Sequence, residues 1–231
     1  MTRRAPVQAR SRARVDAILD AADAVFLEMG FAQATTNHVA ARAGTSIGSL
    51  YRFFPDKDAL LVALAARYAA RMQQIGRDVS PTAPSARTLR EVVATGFDTF
   101  NTFLVANPGF QTLALNASHP GLRAVRADTD ASMIQVIAAS QASLTTPVDA
   151  ADIQVIATVT NAVLSALQLL SLQGDGAWRA RIAEEAKRLA TAWLSERLGI
   201  SPDEPLDAPP RRDALPAEDR GDHGLEVRPH R

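Results

Sequence analysis

The chain contains no cysteine, which excludes a disulfide framework, a thiolate zinc site and a cysteine nucleophile. Histidine is nearly as scarce. Of His38, His119, His223 and His230, no two share a helix face at i, i+4, which argues against a histidine metal site. No cofactor is implied. Net charge is missing too, because 25 Lys+Arg balance 25 Asp+Glu; the whole-chain charge points to no nucleic-acid partner. No apolar run approaches the roughly 20 residues that span a bilayer. The basic N-terminus, MTRRAPVQARSRARVD, lacks the hydrophobic stretch of a secretory signal. These absences predict a soluble, cytoplasmic protein with no membrane partner. Strand alternation, Asn-Gly or Asp-Gly hairpins and repeats of 20–50 residues are also lacking. A chain of 231 residues allows one large domain or two small ones.

What is present is helical periodicity between two unlike ends. Residues 1–14 carry Arg3, Arg4, Arg10, Arg12 and Arg14 with no acid, and like charges with no apolar anchor predict a basic flexible arm. It reads either as a solvated tail or as a phosphate-seeking one. Residues 201–231 hold six prolines, eight acids and five arginines but no Trp, Tyr or Phe, so that tail is expected to be disordered. Between them, Val15, Ile18, Leu19, Ala22, Val25, Phe26 and Met29 recur at spacings of three and four, and Gly30 follows as a stop. Two short helices fit between Thr35 and Phe54, and Pro55-Asp56 opens a longer one. Further helices read as 87–106, about 109–117, about 122–143, 149–173 and 177–198. The fold class is all-α, divided into a domain at 15–57 and a helical body at 58–200.

The stretch 35–61 reads TTNHVAARAGTSIGSLYRFFPDKDALL. Thr35 or Thr36 can cap one short helix whose buried face is Val39, Ala40 and Ala43. Gly44 supplies a turn in which positive φ costs no side-chain clash. Thr45-Ser46 then cap a second short helix, with Ile47, Leu50 and Phe54 on one side and Ser46, Ser49, Arg52 and Phe53 elsewhere. Two short helices about a tight glycine turn make a helix-turn-helix, whose second helix fits the DNA major groove. The outward chemistry suits that partner. Ser, Thr and Tyr hydroxyls donate to phosphate oxygens, Arg52 can reach guanine or phosphate, and Gly48 permits close backbone approach. Residues 1–57 hold eight basic groups against five acids, so positive charge is local.

Residues about 10–62 resemble the DNA-binding domain of TetR/AcrR-type transcriptional regulators. The likeness rests on Met29-Gly30-Phe31, Thr35-Thr36-Asn37, Val39-Ala40, Ala43-Gly44, the run from Ser46 to Tyr51, Phe54 and Lys57-Asp58-Ala59-Leu60. Thr45 departs mildly, standing where these proteins often carry Val. By position, the resemblance implies that Thr35 and Thr36 contact phosphate and that Asn37 reaches a base edge. It places Ser46, Ile47, Gly48, Ser49, Tyr51 and Arg52 at the groove and Lys57 on the backbone. Tyr51 can alternatively pack on the domain, Ile47 can belong to the core, and Arg52 can be merely solvated.

For the body, the resemblance implies a ligand pocket and a dimer interface. Ile153, Ile156, Val159, Val163, Ala166, Leu167 and Leu170 form one apolar stripe, and Ile182, Ala186, Leu189, Ala190, Trp193 and Leu194 another. A homodimer would join these in a four-helix bundle, with Ile156, Val163, Leu167, Leu170, Leu189 and Trp193 at the interface. The plain alternative is monomer core. Phe97, Phe100, Phe103 and Phe110, interleaved with Asn101 and Gln111, read either as core or as an apolar pocket with polar orienting groups.

These readings point to a homodimeric regulator of double-stranded DNA: a repressor released from a palindromic operator by a small, largely apolar effector. The competing reading is a helix-turn-helix regulator without a small-molecule effector, and a closed cavity among residues 97–167 discriminates the two. No Ser/His/Asp cluster, paired carboxylates or phosphate-cradling glycine loop suggests an enzyme. Asp98 with His119 is the one pair available on paper.

Overall fold

The computed structural model describes residues 5–79, 87–144 and 149–206, and within them the side chains of all but residues 5–8, 111, 114 and 115. The described residues form nine helices and no strand: α1 Ala5–Gln33, α2 Thr36–Arg42, α3 Ile47–Tyr51, α4 Lys57–Val79, α5 Leu89–Ala106, α6 Gly109–Leu115, α7 Pro120–Ala142, α8 Ala150–Ser171 and α9 Gly176–Leu198. The all-α expectation holds, and the periodic stretches fall where helices are found.

Three domain boundaries differ, and one helix end with them. Residues 5–14, expected as a flexible arm, are the opening turns of α1. Pro6 sits in the first turn, where its missing N–H costs nothing, and the Ala, Gln and Arg that follow are strong helix formers. Propensity there outweighs the repulsion of exposed, solvent-screened charges. At the other end of α1 the helix continues past Gly30, which forms a kink at φ 76°. The division at 57/58 is not a break in packing either. Leu60, Leu61, Leu64 and Tyr68 of α4 are buried in the same cluster as Ile18, Val25, Phe26, Val39 and Leu50. Leu113 of α6 and Leu122 of α7 complete that core, so the head and the body share α4 as a common strut.

The third difference is at residue 200. Residues 201–206, assigned to the disordered tail, lie along the start of α5. Arg90 N–H donates to the Pro202 carbonyl at 3.1 Å and Leu206 N–H to the Arg87 carbonyl at 3.0 Å. The Arg90 guanidinium grips Asp203 through both carboxylate oxygens at 2.7 and 3.2 Å, and Leu206 packs on the cluster around Leu89, Ile156 and Leu198. Tail composition averages over a segment whose first residues have a specific partner. Residues 207–231 lie outside the described residues.

Candidate DNA-reading surface and ligand cavity

The helix-turn-helix is built by local caps over a buried floor. Thr35 caps α2, its Oγ1 accepting from the His38 N–H at 3.2 Å. Gly44 takes φ 59°, which lets Thr45 N–H reach back to the Ala40 carbonyl at 3.0 Å. Ser46 caps α3, accepting from Ser49 N–H at 3.2 Å. Leu50, fully buried, fixes α3 to the head. Side-chain oxygens thus satisfy helix-end N–H groups that would otherwise be bare.

This arrangement turns Thr35, Asn37, Ser46, Gly48, Tyr51 and Arg52 to the exterior, with Thr36 and Ser49 half-buried. The Thr36 hydroxyl lies 3.1 Å from the Tyr51 hydroxyl, so one bond ties the two helices and aims the phenol outward. Tyr51 is 49% exposed, so about half of it is covered by the domain and half is free. Ile47 is half-buried against the head core, which divides it between packing and surface. The Arg52 guanidinium has neither a hydrogen bond nor an ion pair among the described residues. Lys57 differs most from expectation. Its ammonium donates to the carbonyls of Phe31 and Ala32 at 2.7 and 3.2 Å and stands 4.5 Å above the Phe31 ring. It closes the C-terminal end of α1, in keeping with a cation at a helix terminus. Arg14, named in the sequence only as part of the basic arm, donates from Nη1 to Thr45 Oγ1 at 3.3 Å and brings an arm arginine to the turn.

Head and body meet through polar groups as well as apolar ones. The Tyr68 hydroxyl donates to Asp23 Oδ2 at 2.7 Å, and the Asp23 carboxylate lies against Gly109, where any side chain would collide with it. Burial, reinforced by the Asp23 carboxylate, pushes the Tyr68 hydroxyl pKa well above its ordinary value. His119 caps α7: Nδ1 accepts from Gly121 N–H at 3.2 Å, so the ring proton belongs on Nε2, 3.4 Å from Asp58. The suggested Asp98–His119 pair does not form, because Asp98 instead pairs with Lys187 at 3.2 Å.

Behind the head, the body holds two apolar chambers, each partly open to solvent rather than closed. The larger, about 170 Å³, lies among α4, α5, α7, α8 and α9, with Phe97 and Phe100 on its wall. The smaller, about 140 Å³, lies nearer the head and has Phe110 on its wall. Met72, Thr129, Asp130, Ser165 and Gln168 line both, so the chambers adjoin at a partly polar waist. Two expected pocket residues lie elsewhere. Phe103 stacks edge-on against Tyr68, ring centres 6.2 Å apart, and Asn101 faces Ser171 Oγ at 3.5 Å. The Gln111 side chain lies outside the described residues. Sequence reasoning missed Gln141, Thr160, Asn161 and Gln168. The available signal was polar residues at 160, 161 and 168 recurring on one side of an otherwise apolar α8.

The outward side of α8 also corrects an assignment. Ile156 is 1% exposed and packs with Leu89, Ile153 and Leu194 inside the body, so it is core. Leu167 is half-buried against Phe97, Ala183 and Ala186, Trp193 is half-buried on the Leu89 cluster, and Val163 is half-buried. Leu170 and Leu189 are exposed, and so are Val155 and Val159. With Ala162 and Ala166, these give α8 a second apolar face at positions 155, 159, 162, 166 and 170. Over its 22 residues α8 is long and apolar enough, by length and composition, to cross a membrane, although no such run was expected; a third of that stretch is buried within the body.

Two family models match this chain: bacterial regulatory proteins of the tetR family over residues 18–64, and the tetracyclin repressor-like C-terminal domain over 88–194. No curated protein matches it by sequence. Among solved structures, a TetR-family transcriptional regulator from Streptomyces coelicolor is 26% identical with a TM-score of 0.60, over 80% of this chain and 99% of that one. A transcriptional regulator from Rhodococcus sp. Rha1 is 18% identical with a TM-score of 0.67, over 81% and 99%. The SmeT–triclosan complex is 19% identical with a TM-score of 0.60, over 88% and 99%; these last two likenesses concern the fold. The first matched stretch carries the helix-turn-helix and the second the chambered body, and the chain belongs to the TetR family of DNA-binding transcriptional regulators, which are not enzymes.

Proposed function

We propose that the protein is a homodimeric repressor that holds a palindromic operator and releases it when a small, largely apolar molecule enters the body. The observation that carries this reading is the pair of apolar chambers beside α4, the helix shared with the DNA-binding head. A regulator without a small-molecule effector has no use for such space, so the cavity favours the effector reading. SmeT, similar in fold, is a complex with triclosan, which is consistent with a small-molecule effector here.

In this reading Thr35, Thr36, Ser46 and Tyr51 hold phosphates, while Asn37 and Arg52 read bases, with Ile47, Gly48 and Ser49 lining the groove-facing side. Lys57 acts mainly by fixing the end of α1 and contributes its remaining N–H to the backbone. The dimer forms through the outer face of α8, including Val155, Val159 and Leu170, with Leu189 of α9. A two-fold pair of heads would then meet half-sites about one helical turn apart. Release follows from linkage: the ligand frees DNA only to the extent that it binds the non-reading conformation better.

The test is selection of genome fragments by the purified protein, followed by sequencing and a reporter placed behind the enriched fragment. The expected result is a palindrome with half-sites about 34–36 Å apart and a reporter silenced by the protein. Absence of enrichment over random fragments at moderate salt overturns the operator reading; stimulation of the reporter overturns repression.

A further inference from the structure

Apolar packing does not account for one polar atom of a residue that lines the larger chamber. Gln141, on α7, is 4% exposed and lines that chamber. Its Nε2 donates to Thr160 Oγ1 at 3.2 Å, and that hydroxyl donates to the Ile156 carbonyl at 2.7 Å. The single Thr160 proton is committed to Ile156, so the hydroxyl can receive only an N–H from Gln141. This fixes the amide with its carbonyl turned the other way. The carbonyl oxygen, Oε1, is buried and has no hydrogen-bond partner among the described residues. Buried acceptors are almost always completed, by protein, water or a bound molecule.

The surrounding charge narrows what completes it. Asn161, next to Thr160 on α8, donates from Nδ2 to Asp130 Oδ1 at 3.4 Å. Asp130 is the one charged residue on this wall among the described residues, and no Lys, Arg or His lines the larger chamber. An anion there meets a carboxylate and a bare carbonyl, while Arg126, 3.8 Å from Asp130, lines the smaller chamber and not this one, which disfavours it. A hydroxyl or amine meets two acceptors. We propose that the ligand of this cavity is an apolar molecule bearing a hydrogen-bond donor, a hydroxyl or an amine, that bonds to Gln141 Oε1, and that it is not a carboxylate. The inference rests on the effector reading above and specifies its chemistry.

The experiment compares four probes that share one alkyl chain, namely 1-decanol, decylamine, decyl methyl ether and decanoate, by calorimetric titration of the full chain and its Gln141→Met variant. The alcohol and the amine should bind on the order of tenfold more tightly than the ether, since the ether leaves the carbonyl bare. Decanoate should bind most weakly. In Gln141→Met the alcohol should fall to the level of the ether, with the ether itself nearly unchanged. If Gln141→Met does not fold, Thr160→Val serves: it frees the amide to rotate and should shrink the same preference. Alcohol and ether binding equally in the wild type would mean that water completes the carbonyl, and decanoate binding best would mean an anion site. Either overturns the donor inference but leaves the ligand cavity standing. Failure of all four probes to bind the folded protein overturns both.

Discussion

The head and the body are made from the same kinds of helix yet packed in opposite ways. In the head, Ile18, Val25, Phe26, Val39, Leu50 and Leu64 converge in one continuous cluster, and none of these six lines either chamber, although Ala65, Leu113 and Leu122 at its edge border the smaller one. In the body, the buried residues fall into two smaller groups, one around Leu89 and Ile156 and one around Phe97 and Ala186. The larger chamber borders both groups. Close packing holds side chains in single rotamers, which a reading surface needs, because base recognition depends on fixed geometry. Unfilled space leaves room for a second arrangement, which a responsive domain needs.

Core truncation is the most direct way to break this contrast. Phe26→Ala in the head should cost about 3–5 kcal/mol, because no neighbour can collapse into the space. Met133→Ala, on a chamber wall that is already open, should cost about 2 kcal/mol, the low end for such changes. Urea unfolding of both variants measures the difference, and equal costs would remove the distinction.

The reading surface itself can be sharpened by binding to a selected operator and to random DNA. Arg52→Ala or Asn37→Ala should cost about 1–3 kcal/mol on the operator and relax preference at particular base pairs. Tyr51→Ala should weaken both DNAs alike, as expected for a phosphate contact. A uniform loss for all three variants would remove base readout from this face.

At the junction, Tyr68→Phe leaves both Asp23 oxygens without a side-chain donor and should cost about 1–3 kcal/mol. The linkage has a definite sign. A hydroxyl whose pKa is raised on folding stabilises fully below its unfolded pKa, near 10, and loses that contribution as pH rises towards the folded value. Wild type should therefore lose stability above about pH 10 more steeply than Tyr68→Phe, measured as thermal midpoint against pH.

The smallest effect belongs to the strap at 201–206. Ending the chain after residue 200 removes the packing of Leu206 and should cost about 1 kcal/mol, lowering Tm by about 2–4 °C. An unchanged midpoint would show that the strap contributes nothing.

The head was legible because its instructions are local: Thr35 and Ser46 cap, Gly44 turns, and Leu50 anchors, all within sixteen residues. The body was legible as helices but not as a container. Whether Phe97 and Phe110 line space or fill it depends on where five helices fail to meet, which no single periodicity records. Ile156 was misplaced because α8 is apolar on both faces, so spacing alone does not say which valine or isoleucine looks inward. At the ends, composition misled in opposite directions. A run of arginines hid good helix formers, and a proline-rich tail hid a short segment in which Pro202, Asp203 and Leu206 have definite partners at the start of α5.

Gly109 has a meaning beyond packing. Asp23 is pinned by Tyr68 on one oxygen and rests directly on the Gly109 backbone, so the head bears on the body at a point with no clearance. A single methyl group added at 109, one residue before Phe110 on the wall of the smaller chamber, would pry Asp23 from Tyr68 without touching the DNA face. Variation there should therefore register as altered communication between the two ends of the molecule, and in a screen for constitutive mutants it would mark a position remote from the DNA face.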